Sequence, residues 1–402
     1  MTRAARRRWA TASELLRLVT TEPGITRREA AARLRLSSGA ATDLVDRLKR
    51  LGLLVESKAE ATGRGRPTSI FEPHPDGPLV LIVGLRASGW DLLLSDLFGR
   101  LTKVATQPYQ DDRPEAVLAR VAAAVGRSVD GTGDRVRCLV VSAAGPVSGT
   151  ILGQLSARRW LERLDLEQLT DAIPPDDRPP LLVGNDATLA GLAEARTGAS
   201  RGSSVALHLM VATGIGGVLL LDGEPALGAH GAGGEFGHLP FADPALQCTC
   251  GSHGCWDLAV DGRALARHRG DPEPTDPTDY AQRLLDDIVA ERGDLRRNRK
   301  AAESAAAAFG SGIAGLVNAH DPELITIGGL GPLLRRCAPA AFDQAYRAGL
   351  MAIHQRRPAP VVDSVHGADG PTRGAAYRGI DHIISPTALE HRAEALPQPA
   401  DR

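Results

Sequence analysis

Cysteine is sparse, lysine rarer still and long apolar stretches are missing, and these shortages narrow the field. Five cysteines in 402 residues cannot staple a chain of this size, so a disulfide scaffold is excluded. No apolar run approaches the ~20 residues of a membrane-crossing helix, and the longest candidates are broken by glycine or charge. Met1–Arg8 is basic, but no apolar segment or small-residue cleavage site follows it. No secretory leader is read there, and a cytoplasmic protein with no membrane partner is expected. What is present suits a globular protein: 43% of residues are hydrophobic and 24% charged, over a length that fits two or three domains. No short sequence repeat is found.

The net charge of −1 hides an uneven distribution. Residues 1–72 hold 15 Lys and Arg against 8 Asp and Glu, or +7; the other 330 hold 32 against 40, or −8. Arginine outnumbers lysine throughout, but that bias concerns residue type and leaves the difference in sign unexplained. A basic arm on an acidic body suits nucleic acid at one end only.

The first seventy residues carry three helical patterns. Leu15, Leu16, Leu18 and Val19 predict a short amphipathic helix after Ser13. Thr26-Arg27-Arg28-Glu29 is a capping-box pattern that opens a second helix through Ala30, Ala31 and Leu34. After Arg35–Leu36, Ser37 or Ser38 caps a third, whose apolar positions Ala41, Leu44, Val45 and Leu48 recur at helical spacing until Gly52. Leu53–Val55 and Thr68–Phe71 then predict two strands of a wing around Gly63-Arg64-Gly65-Arg66-Pro67. Two short helices, a longer one with a polar start and a wing form the winged helix-turn-helix pattern. In that layout Ser37, Ser38, Gly39, Thr42 and Asp43 face base edges, while Arg47, Lys49 and Arg50 lie near phosphates. Arg64 and Arg66 suit a narrow minor groove or the backbone. Without the wing, the same helices would read as a dimerisation or docking module.

Beyond a proline-rich joint at Pro73–Pro78, strands are predicted at Leu79–Leu85, Asp91–Asp96, Val136–Ser142, Leu181–Gly184, Val205–Val211 and Gly217–Leu221. Helical patterns lie between them at Pro114–Gly126 and Ala187–Thr197, and beyond them at Glu303–Ala319. Such alternation predicts an α/β domain with both sheet faces covered. Three thiols, Cys248, Cys250 and Cys255, fall within eight residues, a spacing that points to metal in a reducing compartment. A nearby histidine would complete a tetrahedron, and both His238 and His253 are candidates.

Glu235-Phe236-Gly237-His238 followed by Cys248-Thr249-Cys250-Gly251-Ser252-His253-Gly254-Cys255 resembles the signature of the ROK family (repressors, open reading frames and kinases). Ala143–Val147, Gly184–Ala187, Ala212–Gly217 and Asp321–Gly329 resemble further family stretches in the expected order. The N-terminal segment is similar to that of the family's regulator branch. The resemblance implies a two-lobed, actin-like sugar-kinase fold after the head. The expected layout is a head at 1–72, a joint at 73–78, a first lobe at 79–186 and a second lobe with the zinc loop at 187–371. A helix near 372–385 would return to the first lobe, and 386–402 would form a disordered tail.

The resemblance also implies roles for particular residues. His238 becomes the fourth ligand of a structural Zn²⁺, with Cys248, Cys250 and Cys255. Asn185, Asp186, Glu235, His238 and Asp257 become sugar ligands, Asp257 standing where the family generally has Glu. On spacing alone, Asn185-Asp186 reads equally as a turn at a strand end. Asp186 occupies the family's base position. The kinases' first phosphate turn, Asp-x-Gly-Gly-Thr, corresponds to Gly84, Leu85, Arg86, Ala87 and Ser88, so its Asp is lost and Arg and Ala replace its glycines. The second glycine loop keeps Thr213, Gly214, Ile215, Gly216 and Gly217 but has Ala212 and Val218 where glycine is common.

The expectation is therefore a DNA-binding repressor that senses a sugar, binds operator DNA as a dimer or tetramer, needs no ATP and has lost kinase activity. Two alternatives are weighed against it. One is a bifunctional hexose kinase that also binds DNA; the other is a scaffold that docks a partner protein without binding sugar. The acidic segment Asp271–Asp279 has no role in any of them.

Overall fold

The computed structural model describes residues 3–58, 69–86, 88–109, 113–153, 160 and 162–395, with side chains from residue 8 onward. The wing loop with Arg64 and Arg66, Ala87 of the first phosphate turn, and residues 396–402 lie outside the described residues. The chain divides into two compact units. One takes Met1–Ser142, Asp165–Val183 and Ala375–Arg402; the other takes Ala143–Leu164 and Gly184–Gly374. The head and most of the expected first lobe thus share a unit, and residues 143–164 belong with the second lobe.

In the head, α1 (Arg3–Thr21), α2 (Arg27–Arg33) and α3 (Ser38–Arg50) precede an antiparallel pair, β1 (Leu54–Lys58) and β2 (Ser69–Pro73). α1 begins well before Ser13 because Trp9 and Ala12 extend its buried stripe back from Leu16 and Val19. The strongly basic run before Trp9 shows no apolar period, so its helical state was hidden in the sequence. The capping box forms as expected, with Thr26 and Glu29 each bonding the other's backbone N–H. Ser37 caps α3 by accepting from the Ala40 N–H at 3.3 Å. Ala41, Leu44, Val45 and Leu48 form the buried face of α3.

The first unit's main sheet has the order β10-β6-β3-β4-β5, built from β3 (Leu79–Leu85), β4 (Gly89–Ser95), β5 (Leu101–Pro108), β6 (Val136–Ala143) and β10 (Leu181–Asn185). The second unit's sheet has the order β13-β12-β11-β14-β15, from β11 (Val205–Val211), β12 (Ile215–Leu221), β13 (Glu224–Pro225), β14 (Leu324–Gly329) and β15 (Val361–Asp363). Read from the β5 edge of the first and the β13 edge of the second, both run third, second, first, fourth, fifth along the chain, a shared strand order that leaves no repeat in the sequence. β7 (Val147–Ser148), β8 (Ile151–Leu152) and β9 (Leu164–Asp165) form a small separate sheet.

α4 (Pro114–Thr132) and α5 (Asp186–Thr197) match expected helices, while the Glu303–Ala319 pattern is the later part of α9 (Leu295–His320). α6 (Asp257–Val260), α7 (Gly262–Arg269) and α8 (Pro277–Val289) precede α9; α10 (Gly331–Cys337), α11 (Pro339–Gly349) and α12 (Ala352–Gln355) follow it. Around α9, Trp256 stacks on Phe309 at 5.7 Å, and Phe309 meets Phe342 at 5.7 Å. The acidic segment is structural here: Asp276 caps α8, and Asp271 accepts from the Tyr280 hydroxyl at 2.7 Å.

α13 (Gly370–Ile383) starts in the second unit and ends in the first. A Cβ on Gly374 would lie 1.7 Å from the Leu189 carbonyl oxygen, so only glycine lets α13 approach the α5 backbone this closely. α14 (Pro386–Ala395) corrects the expected disordered tail: these residues are helical, with Leu389 fully buried. One buried leucine in a polar decapeptide gives no period to read, and its packing partner α1 lies at the far end of the sequence.

Within the first unit, side chains tie the head to the sheet and the C-terminal helices. Thr20 Oγ1 donates to the Leu97 carbonyl at 2.7 Å, and Arg17 pairs with Asp381 at 2.9 Å. Arg392 Nε donates to the carbonyl of Leu51, the residue that ends α3, at 2.8 Å. The joint is clipped by Arg135, which donates to the carbonyls of Pro75 and Gly77 at 2.7 and 3.1 Å.

Candidate metal centre and ligand site

Glu235 precedes a single 3-10 turn, Phe236–His238, which aims the His238 ring at the loop carrying the three thiols. The ligand atoms of His238, Cys248, Cys250 and Cys255 all lie within 4.8 Å of one another. Cys250 Sγ is 3.6 Å from Cys255 Sγ, and Cys248 Sγ is 3.8 Å from His238 Nδ1. Tetrahedral zinc with ordinary Zn–S and Zn–N bonds needs ligand separations of about 3.3–3.8 Å. The donor set therefore fits a metal ion in chemistry and in size. His253 is exposed and outside this group, so the geometry favours His238. All five cysteines are free thiols.

The expected sugar ligands fall in the same unit, at the N-terminus of α5, on the turn before the thiol loop and, for Asp257, at the start of α6 after it. Asn185 is both cap and tie: Oδ1 accepts from the Thr188 N–H at 3.1 Å, and Nδ2 donates to the Gly145 carbonyl at 3.0 Å. Asp186 opens α5, its Oδ1 accepting from the Ala187 N–H at 2.7 Å. Burial pushes the Asp186 carboxyl up to about 7, and the Glu235 charge adds to the rise. Burial also raises Glu235, against the pull of His238, whose Nε2 lies 3.9 Å from Glu235 Oε2. A carboxyl that titrates near neutrality is suited to accept a proton from a hydroxyl. Asp257 is only 6% exposed, and its Oδ1 is committed to the Ile215 N–H at 2.6 Å.

This arrangement costs stability, and the sign follows from linkage. A carboxyl whose pKa is raised in the fold favours the folded state below its ordinary value near 3.8, and that contribution is lost as pH rises through about 7. Asp186→Asn is therefore expected to raise the melting temperature, and to do so more at pH 8 than at pH 5. Equal gains at the two pH values would show that Asp186 is not held in this state.

The two glycine turns differ in kind. In the first unit, Gly84, the last residue but one of β3, lies directly opposite Asp91. Arg86 closes the hairpin, its N–H donating to the Gly89 carbonyl at 2.9 Å, and its guanidinium folds onto Asp91 at 2.5 Å. Asp91 is buried, and its Oδ1 has no hydrogen-bond partner among the described residues. A fixed guanidinium–carboxylate pair thus stands where the resemblance would place bare backbone. In the second unit, the β11–β12 hairpin holds Ala212 to Gly217. Its glycines have packing reasons of their own: a Cβ on Gly216 would lie 2.7 Å from Ala187 Cβ, and one on Gly214 would lie 2.8 Å from Asp257 Oδ2. Val218 is fully buried inside β12.

In the head, Ser38 and Gly39 are exposed at the start of α3. Thr42 Oγ1 donates to the Ser38 carbonyl at 3.0 Å and accepts from Arg27 at 3.3 Å. Arg47 lies 5.6 Å over the Trp9 ring. Sequence reasoning missed the link between α2, α3 and the wing: Glu56 on β1 accepts a forked pair from Arg27 at 2.5 and 3.0 Å and also meets Lys49 at 3.4 Å. No local pattern could have found it, because the partners lie on three separate elements.

Fold and site together define a winged-helix head on a sugar-kinase-like body with a thiol–imidazole cluster. The family model for the ROK family matches residues 95–381, and the chain belongs to that family. It is similar to a glucokinase of Streptomyces coelicolor, with 31% identity over 157 residues, which cover 39% of this chain and 48% of that protein. The chain thus spans about half the length of that curated relative. Among solved structures, it is similar to a ROK family transcriptional regulator described as a homolog of the E. coli MLC protein (TM-score 0.74, 21% identity, 96% of this chain and 99% of that one). It is also similar to a ROK hexokinase from Thermus thermophilus (TM-score 0.59, 28% identity, 76% of this chain and 99% of that one). No described helix is long and apolar enough to cross a membrane.

Proposed function

We propose that the chain is a sugar-responsive DNA-binding transcription regulator, a repressor, whose kinase-like body has lost phosphoryl transfer. The observation that carries this reading is the head: three helices and a two-stranded wing on a segment of +7 charge, attached to a body of −8. Ser37, Ser38 and Thr42 would meet base edges, with Arg47 near phosphate and the wing arginines Arg64 and Arg66 in the minor groove or on the backbone. A two-fold oligomer would present two heads to related half-sites.

Asn185, Asp186, Glu235 and His238 would take the sugar hydroxyls, since carboxylates and amides can each accept two hydrogen bonds. His238, Cys248, Cys250 and Cys255 would hold a structural zinc, which closes its own loop and supplies no chemistry. Sugar would act by binding one arrangement of the lobes better than another.

Asp186 favours the competing kinase reading, because a carboxyl near 7 can serve as a base. Phosphate binding weighs against it, because Arg86 and Asp91 neutralise each other at the first turn. The test is a gel shift with DNA from upstream of the protein's own gene and its neighbours, with excess nonspecific competitor and a panel of sugars, run beside an ADP-release assay. A specific shift that one sugar alters, without ADP release, is expected. Turnover on the order of 1 s⁻¹ or more with any hexose would return the protein to the kinases.

A further inference from the structure

The segment that follows the thiol loop reaches back to the glycine hairpin twice. Asp257, first residue of α6, accepts from the Ile215 N–H through Oδ1 at 2.6 Å and places Oδ2 3.7 Å from His238 Nδ1. Asp261 is 1% exposed and caps α7. It holds Arg263 Nε at 2.7 Å, and the guanidinium of Arg263 donates to the Thr213 carbonyl at 3.1 Å. Both ends of the hairpin turn are therefore bonded by side chains from one short stretch, 257–263.

Glycine on either side makes the first of these ties possible. A Cβ on Gly214 would lie 2.8 Å from Asp257 Oδ2, and one on Gly237 would lie 1.9 Å from Oδ1 and 2.6 Å from the Ile215 carbonyl oxygen. The carboxylate thus sits wedged between the hairpin and the His238 turn. It is two residues beyond Cys255, so its position follows that of the thiol. A metal bound to both His238 and Cys255 would fix the His238 turn and the start of the stretch from which Asp257 reaches the hairpin.

We infer that Asp257 is a positioning residue that straps the β11–β12 hairpin to the metal loop, so that metal occupancy sets the order of the hairpin as well as of its own loop. The inference rests on the metal reading above. It gives Asp257 a structural partner in Ile215, a tie that its expected role as a sugar ligand does not supply. It also links metal to the ligand residues, because Gly216 of the hairpin packs on Ala187, next to Asp186.

The test is hydrogen exchange on the full chain, zinc-loaded and chelator-stripped, followed in peptides covering 211–218, with β3 as the reference. Stripping is expected to speed exchange in the hairpin about tenfold or more and to leave β3 unchanged. Cys250→Ser, at an exposed thiol, is expected to reproduce the stripped pattern through weaker zinc binding. Asp257→Ala, checked for zinc content and circular dichroism, is expected to keep zinc while its hairpin exchanges fast in either state. Zinc-independent hairpin protection in the unaltered protein would overturn the strap while leaving the metal site standing. So would an Asp257→Ala hairpin that still responds to zinc. Failure of the unaltered protein to take up zinc would remove the metal reading and the strap together.

Discussion

Leu389→Ala is expected to destabilise the first unit by about 3 kcal/mol, the usual range for emptying a fully buried leucine site being roughly 2–5 kcal/mol. Leu389 has no exposed surface, and α14 packs against α1 of the head. Arg392→Ala is expected to cost less, about 1–2 kcal/mol, by removing one charge-assisted hydrogen bond to the Leu51 carbonyl. Both are measured by urea denaturation of the full chain. Because Leu51 ends α3, both variants are also expected to weaken operator binding more than an alanine at an exposed body site such as Glu273 does. A loss under about 1 kcal/mol for Leu389→Ala would mean that α14 is not seated on the head.

The second large effect concerns the first phosphate turn. Removing Arg86 leaves the Asp91 carboxylate buried, with no partner for Oδ1 and its counter-charge gone. Breaking a buried pair costs roughly 3–5 kcal/mol, but the Arg86 side chain is 58% exposed, which tempers the loss to about 2 kcal/mol. Arg86→Ala is expected to show that loss, and Arg86→Ala/Asp91→Leu to recover most of it, since an apolar pair leaves no charge stranded. Neither variant is expected to release ADP. If the single variant is neutral, the pair does not hold the hairpin; if it gains hexose-dependent ADP release, Arg86 alone was blocking phosphate.

The features legible in the sequence were those closed over a few residues or carried by one period. The capping box at Thr26 and Glu29, the buried face of α3 and strands β3 and β11 fall in this class. So do the three thiols, because a loop this short brings its own ligands together. The choice between His238 and His253 was different. Both lie close in sequence, and a 3-10 turn at 236–238 aims one at the thiols while the other stays exposed. Asp257 was expected as a sugar ligand because the resemblance places an acidic residue after the last thiol; its bond to the Ile215 N–H spans 42 positions, a pairing no local pattern encodes. α14 was lost for the same reason: its one apolar anchor is meaningful only beside α1.

By itself the sequence determined the class of this protein: a basic winged-helix head, an α/β body, a thiol cluster of metal-binding spacing and the ROK family motifs. These follow from hydrophobic period, turn chemistry and ligand spacing, which are properties of neighbouring residues. The tertiary structure alone decided that the sheets repeat one strand order and that the C-terminal helix docks on the head. It also decided that Arg86 is spent on Asp91, and that the carboxylate of Asp257, just past the thiol loop, bonds the glycine hairpin. Apart from the Arg86–Asp91 pair, which closes across a single hairpin, these are contacts between residues distant along the chain. Whether such a contact forms depends on burial and close packing, which act only once the backbone has folded.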